Sequence, residues 1–110
     1  MRVAGIGFRT ATPPVALRAA LAAAGAVDRV ATLRTKATEL AAALPGVVVT
    51  GVDVAGVETP TRSARVEALF GTGSVAEAAA LVAAGRGARL VRAREVIGGV
   101  TLAVAEGDGE

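Results

Sequence analysis

The sequence predicts an α/β domain, a three-layer α/β/α sandwich with a mixed, mainly parallel sheet of about five strands and an antiparallel final pair. Short apolar segments alternate with longer alanine-rich segments that carry helix start and stop residues, an order typical of strands joined by covering helices. The last two apolar segments are separated by Gly98-Gly99, which turns the chain back on itself. A length of 110 residues suits one domain, which we assign to residues 1–105, followed by a flexible acidic tail at 106–110.

The elements follow from local patterns. Strands are predicted at five apolar segments, which are residues 2–6, 30–33, 47–50, 89–94 and 100–105. Val47–Thr50 is β-branched throughout, which predicts a buried strand. Helices are predicted at four segments, which are residues 13–24, 36–44, 61–70 and 75–84. Thr12 and Thr35 are the expected caps of the first two helices, and Ser74-Val75-Ala76-Glu77 is a capping-box sequence.

The composition excludes several kinds of chemistry. The chain has no His and no Cys, so a Ser-His-Asp or Cys-His mechanism is impossible within it, and protein-held zinc, copper or haem iron is not expected. With two Phe and no Trp or Tyr, base stacking is a poor basis for nucleic-acid binding. The sequence has no transmembrane-length apolar run and no signal-peptide pattern. We therefore expect a cytoplasmic protein with no nucleic-acid and no membrane partner.

Nearly all of the positive charge is arginine. Lys36 is the sole lysine among 12 basic residues, and the formal net charge is +2. The planar guanidinium group binds carboxylate or phosphate through two hydrogen bonds, so the bias is compatible with an anionic ligand. A GC-rich genome produces the same bias, and arginine content alone leaves both explanations open.

The segment Gly5-Ile6-Gly7-Phe8-Arg9 ends the first predicted strand and precedes a helix. Ligands of open α/β sheets bind at the carboxyl ends of strands, and glycines there allow backbone N–H groups to face an anion. The segment lacks the third glycine of the dinucleotide motif and the Gly-Lys-Ser/Thr of a P-loop. Gly5, Gly7 and Arg9 are thus candidate binding residues. The alternatives are a tight turn with a surface arginine or a simple phosphate or nucleotide site.

Three further basic residues are candidates for binding an anion. Lys36 opens the second predicted helix at the same end of the sheet as Gly7, and it is otherwise an exposed helical residue. Arg92 and Arg94 stand at alternate positions of a predicted strand, so they are expected on one face. The alternative is that this face is simply solvated.

The candidate residues with hydroxyl or carboxyl groups also have purely structural explanations. Ser63 and Ser74 stand at predicted helix starts, where each is a natural cap. Glu77 is the capping-box partner of Ser74, and it is the candidate general base if the protein is a catalyst. Thr101 opens the last strand, which its β-branched side chain favours in any case.

Taken in chain order, these motifs resemble the CobE/CbiG C-terminal domain family of cobalamin biosynthesis. The matching elements are Gly5-Ile6-Gly7-x-Arg9, Lys36, Ser63, Gly71, the segment Ser74–Leu81 and the strand Val100–Ala105. The resemblance covers nearly the whole chain and implies an α/β sandwich, in the stand-alone CobE-like form. Phe8 stands where many members have Cys, and Arg94 stands where a Lys usually precedes the last strand.

The resemblance implies a role in building the corrin ring. The expected ligand is a precorrin-type tetrapyrrole, with Arg9, Lys36, Arg92 and Arg94 as rim charges. A catalytic member would assist ring-A lactone opening and removal of a two-carbon fragment, as in cobalt-precorrin-5A hydrolase, with Glu77 as base. The alternative is a non-catalytic carrier or interaction partner of precorrin-modifying enzymes. No cofactor of its own is expected, because any cobalt would be carried by the tetrapyrrole.

Overall fold

A computed structural model describes residues 1–109 of the chain. Its sheet is built from five strands, which are β1 (Arg2–Gly7), β2 (Arg29–Leu33), β3 (Val49–Val52), β4 (Arg89–Ile97) and β5 (Val100–Glu106). Their order across the sheet is β3-β2-β1-β5-β4. The pairs β1–β2 and β2–β3 are parallel, whereas β5 is antiparallel to both β1 and β4. The predicted mixed sheet with an antiparallel final pair is confirmed.

Helices cover both faces of this sheet. They are α1 (Pro14–Ala24), α2 (Ala37–Ala43), α3 (Ala64–Phe70) and α4 (Val75–Ala84), and a single 3-10 turn at Arg34–Lys36 precedes α2. One core cluster joins α1 and α2 to the sheet through residues such as Leu17, Leu40 and Leu102. A second cluster, largely of alanine, joins α4 to the opposite face. The three-layer sandwich is therefore confirmed.

Gly5 lies where α4 crosses β1. A methyl group at Gly5 would overlap the carbonyl oxygen of Ala76, and it would lie 2.8 Å from the nitrogen and 2.9 Å from the Cβ atom of Ala80. Glycine is therefore needed for the helix backbone to pack this closely on the strand. The sequence placed Gly5 in a binding turn, but the structure buries it under α4 as a packing residue.

Two of the predicted helix caps differ from the structure. α1 begins after Pro13 with no side-chain cap, and the Thr12 hydroxyl donates instead to the Arg9 carbonyl oxygen at 2.6 Å. Thr35 lies inside the 3-10 turn, so it cannot cap α2. Ser74 does cap α4, since its Oγ accepts from the Glu77 N–H at 3.3 Å. Proline at the helix start supplies the required backbone angle without a capping side chain.

The edge strand β3 and the C-terminal segment also differ from expectation. β3 begins at Val49, two residues later than predicted, and Val48 is 60% exposed. β3 lies at an edge of the sheet, which explains why Val49 and Thr50 are only partly buried, whereas Val52 is buried. Glu106, which the sequence placed in the acidic tail, is instead the last residue of β5. The flexibility of the tail stays a prediction, and Glu110 lies outside the described residues.

Two bulges interrupt β4. Its register against β5 shifts between Leu90 and Arg92 and again between Arg92 and Glu95. A bulge inserts one extra residue and changes which side chains face which side of the sheet. The regular alternation predicted for Arg92 and Arg94 is therefore interrupted between them, and the two side chains lie in different environments.

Within residues 1–109, no single helix is both long and apolar enough to cross a membrane. α3 and α4 reach that length only as a pair, and the pair is bent by 56° at the break between the two helices.

Candidate functional site

A pocket of about 560 Å³ lies at the carboxyl ends of β1 and β2. Its walls come from the segment after β1, the 3-10 turn, α3, the start of α4 and the β4–β5 hairpin. This is the end of the sheet where ligands of open α/β folds bind. Its lining includes Gly7, Phe8, Arg9, Lys36, Arg65, Leu69, Phe70, Ser74, Arg94, Val96 and Thr101.

Among residues 1–109, four cationic side chains line this pocket and no carboxylate does. The four are Arg9, Lys36, Arg65 and Arg94. In the part of the chain that the structure describes, none of them forms an ion pair, whereas five other arginines pair with acidic neighbours. Uncompensated positive charge in a concave surface attracts anions and raises their local concentration.

Lys36 is held in place at the pocket by two neighbours. Its Nζ donates a hydrogen bond to the Thr10 Oγ1 at 2.7 Å and lies 5.1 Å from the centre of the Phe8 ring. An ammonium group at this distance from an aromatic face is attracted by the ring quadrupole. The interactions orient the charge and leave further Nζ hydrogens free to bind a ligand.

An apolar wall stands beside the cations. It consists of Val66, Leu69 and Phe70 of α3 together with Val96 of β4. Leu69 is 64% exposed, Val96 is 61% exposed, and α3 buries none of its residues. Large apolar side chains grouped at a concave surface are typical of a binding site.

The floor of the pocket is built from the ends of β1 and β5. The Thr101 Oγ1 donates to the Gly7 carbonyl oxygen at 3.1 Å. A methyl group at Gly7 would overlap that same hydroxyl oxygen. Gly7 is therefore required for Thr101 to hold the end of β1, and both residues fix the shape of the floor.

The structure brings together six of the residues predicted for the site. Gly7, Arg9, Lys36, Ser74, Arg94 and Thr101 all line the pocket. Three other binding candidates lie outside its lining. Gly5 is buried under α4, and Ser63 caps α3, since its Oγ accepts from the Val66 N–H at 3.4 Å. Arg92 lies on β4 outside the pocket. The Arg92 guanidinium donates to the Ala23 carbonyl oxygen at 2.7 Å and to the Glu95 carboxylate, because the bulges turn it toward α1.

Glu77 is fully buried and lies outside the pocket lining. Its Oε1 accepts from the Thr61 N–H at 2.9 Å. Its Oε2 accepts from the Thr61 hydroxyl at 2.8 Å and from the Arg94 N–H at 2.9 Å. Both carboxylate oxygens are thus occupied by the protein, and the side chain does not return to Ser74 as a capping box requires. This placement does not suit a general base, which must reach the substrate.

The contribution of α3 to the site was not predicted from the sequence. Val66, Leu69 and Phe70 recur at helical spacing, a pattern that usually marks a core face. The cation Arg65 lies one turn before Leu69, on the same side of the helix. The sequence pattern that could have indicated this wall is an apolar stripe with Arg65 beside it. That pattern is too common on helices to identify a pocket.

The family model described as the C-terminus of cobalamin synthesis G matches residues 2–105. The chain belongs to the CbiG C-terminal family. The match spans the whole sandwich, from β1 almost to the end of β5. It confirms the family that the ordered motifs indicated. Comparison with curated protein sequences gives no match.

Two solved structures of cobalamin-biosynthesis proteins are similar to this CbiG C-terminal domain. The protein chiG from Agrobacterium tumefaciens str. C58 is 33% identical, with a TM-score of 0.68 over 98% of this chain and 99% of that one. CobE, from the cobalamin (vitamin B12) biosynthetic pathway, is 27% identical, with a TM-score of 0.70 over 100% of this chain and 92% of that one. The chain is a cobalamin-biosynthesis protein of the CbiG C-terminal and CobE type.

Proposed function

We propose that this domain binds a precorrin-type tetrapyrrole in the cationic pocket. The observation that carries the proposal is the set of four cations, Arg9, Lys36, Arg65 and Arg94, in a pocket that no carboxylate of the described residues lines. Precorrins are flat macrocycles edged with acetate and propionate groups. Several carboxylates around one ring call for several cations around one pocket.

The pocket has both cationic and apolar walls, and this combination supports the same ligand. Cations approach from the segment after β1, the 3-10 turn, α3 and β4. The exposed side chains of Leu69 and Phe70 offer an apolar surface for the ring itself. A ligand with an apolar body and an anionic edge uses both walls, whereas an inorganic phosphate uses the cations alone.

We favour binding or transfer of the intermediate over catalysis by this domain. Glu77 is fully buried outside the pocket, and no carboxylate among residues 1–109 lines it. The chain contains no His or Cys, so the usual groups for activating a water molecule do not reach the ligand. The domain would hold the macrocycle and present it to a precorrin-modifying enzyme. In a lactone-opening reaction its contribution would be a positive charge such as Arg9 beside the developing oxyanion.

The test is a spectral titration of the protein with purified precorrin intermediates, at two salt concentrations. We expect tight binding that weakens with salt, because the contacts are between charges. Arg65→Ala and Arg94→Ala should each lower the affinity about tenfold or more, as loss of a charge-assisted hydrogen bond does. Arg92→Ala is the matched control, since Arg92 lies on the same strand as Arg94 but outside the pocket.

Two outcomes would oppose the proposal. No spectral change with any precorrin would refute ligand binding, and equal effects of Arg92→Ala and Arg94→Ala would refute the assignment of the pocket. Incubation with the lactone substrate, followed by chromatography of the products, separates the carrier from a hydrolase. Turnover by the isolated domain would overturn our preference for a carrier.

A further inference from the structure

The carboxylate of Glu77 links the two walls of the pocket, although it does not line the pocket itself. It accepts hydrogen bonds from Thr61, two residues before the cap of α3, and from the backbone of Arg94 in β4. Residues that line the pocket follow directly on each side. Arg65, Leu69 and Phe70 belong to the α3 wall, and the side chain of Arg94 belongs to the β4 wall.

The α3 wall has little packing of its own to hold it. α3 buries none of its seven residues. The segments on either side of it are joined to each other, since the Gly56 N–H donates to the Gly71 carbonyl oxygen at 2.8 Å and the Ser63 N–H to the Gly73 carbonyl oxygen at 3.0 Å. These bonds close the loop at its base. The bonds to Glu77 add a direct link from Thr61 to α4, a buried helix of the core.

The β4 wall needs the same carboxylate for a different reason. Arg94 lies within the bulge between Arg92 and Glu95, where the ladder with β5 shifts register. A bulged residue loses its regular partner on the neighbouring strand. The Arg94 N–H is satisfied by Glu77 instead, at 2.9 Å. Without this acceptor the Arg94 amide, in a partly buried hydrogen bond, would lose its partner within the protein.

We propose that Glu77 is a positioning residue that sets the separation of the α3 and β4 walls, and with it the spacing of Arg65 and Arg94. This inference rests on the proposed function of the pocket as a site for a carboxylate-edged macrocycle. Glu77 touches no ligand. It acts by holding two cationic walls at a fixed distance, so that carboxylates on different sides of one ring meet both walls at once.

The test uses Glu77→Gln, which keeps the size of the side chain but places an amide NH₂ against donors. Leu40→Ala is the matched control for lost stability, because Leu40 is fully buried in the other core cluster and does not line the pocket. Thr61→Val is a milder second variant that removes the hydroxyl donor and keeps the carboxylate and the Thr61 N–H bond. It keeps the question open to measurement if Glu77→Gln does not fold.

The first readout is hydrogen exchange of the ligand-free protein by NMR. We expect Glu77→Gln to speed exchange by tenfold or more in α3 and at the Arg94 amide, with β1 and β5 still protected. Thr61→Val should give a smaller effect at the same amides. Leu40→Ala should speed exchange throughout the sheet rather than at these places. Unchanged exchange in α3 and at Arg94 would overturn the inference, whether or not the pocket binds a tetrapyrrole.

The second readout uses uroporphyrin, a flat macrocycle edged with acetate and propionate groups. We expect Glu77→Gln to weaken its binding tenfold or more and to change its induced circular dichroism. In that background Arg65→Ala should have less effect than in the wild-type protein, because loss of Glu77 already displaces Arg65 and the two substitutions then remove the same interaction. If the wild-type protein binds but Glu77→Gln binds as Leu40→Ala does, the inference fails and the proposed function stands. If the wild-type protein does not bind, the proposed function fails and the exchange data still decide the role of Glu77.

Discussion

Replacing Gly5 with alanine adds one methyl group at the closest approach between the sheet and α4. The new Cβ atom would lie 2.8 Å from the Ala80 nitrogen and 2.9 Å from its Cβ, and it would overlap the Ala76 carbonyl oxygen. Two of these three atoms are backbone atoms of a helix, so no flexible side-chain end can move aside. α4 must shift away from β1 as a whole.

The expected loss of stability follows from this geometry. Overpacking a tight core typically costs about 1–3 kcal/mol of stability, and a clash with helix backbone should cost about 3 kcal/mol, the upper end of that range. At about 4 °C for each kcal/mol in a domain of this size, the melting temperature should fall by about 12 °C. The shift of α4 also moves Ser74 and Glu77, which lie in its first turn. Uroporphyrin binding should weaken with the stability.

Thermal and urea unfolding followed by far-ultraviolet circular dichroism measure the effect, since the chain has no Trp or Tyr. Gly46→Ala is the control. Gly46 has a φ of 80° and no atom within 4 Å of a new Cβ, so it reports backbone strain of about 1 kcal/mol without a clash. A Gly5→Ala protein within 0.5 kcal/mol of the wild-type value would refute the close packing of α4 on β1.

Three further substitutions test other parts of the structure. Ser74→Ala should lower the free energy of unfolding by about 1 kcal/mol in urea, because the Glu77 N–H loses its cap; no loss would contradict the cap. Gly98→Ala should cost about 1 kcal/mol by the same assay, since Gly98 and Gly99 have φ values of 56° and 83° in the β4–β5 turn; a neutral result would contradict that turn geometry. Lys36→Gln should weaken uroporphyrin binding about tenfold and flatten its salt dependence; an unchanged salt dependence would exclude Lys36 from the site.

The alternation of strands and helices was predictable because apolar periodicity and glycine breaks are local. The same locality explains the errors at helix starts. Thr61 was a reasonable first residue for α3, but Ser63 is the residue whose hydroxyl meets a helical N–H. Thr61 instead donates to Glu77, 16 residues along the chain. A long-range partner of this kind leaves no periodic trace in the sequence.

The candidate site was predictable in part for a related reason. Arg9 and Lys36 follow parallel strands, whose carboxyl ends meet at one edge of the sheet. The prediction for Arg92 and Arg94 assumed that both side chains lie on one face of a regular strand. One extra residue in a bulge changes the face on which the following side chains lie. No pattern in single-residue types marks the bulge here. Arg65 was missed because it lies on a helix whose apolar stripe resembled a core face but meets the pocket instead.

The four cations of the pocket come from positions 9, 36, 65 and 94, which are spread over most of the chain. An unfolded chain therefore has no such site at all, and even a fragment that lacks one segment has an incomplete one. A ligand that engages all four must then draw the folding equilibrium toward the native state, by about 2.7 kcal/mol when its concentration is a hundred times its dissociation constant. In this small alanine-rich sandwich, the free energy of ligand binding therefore adds directly to the free energy of unfolding.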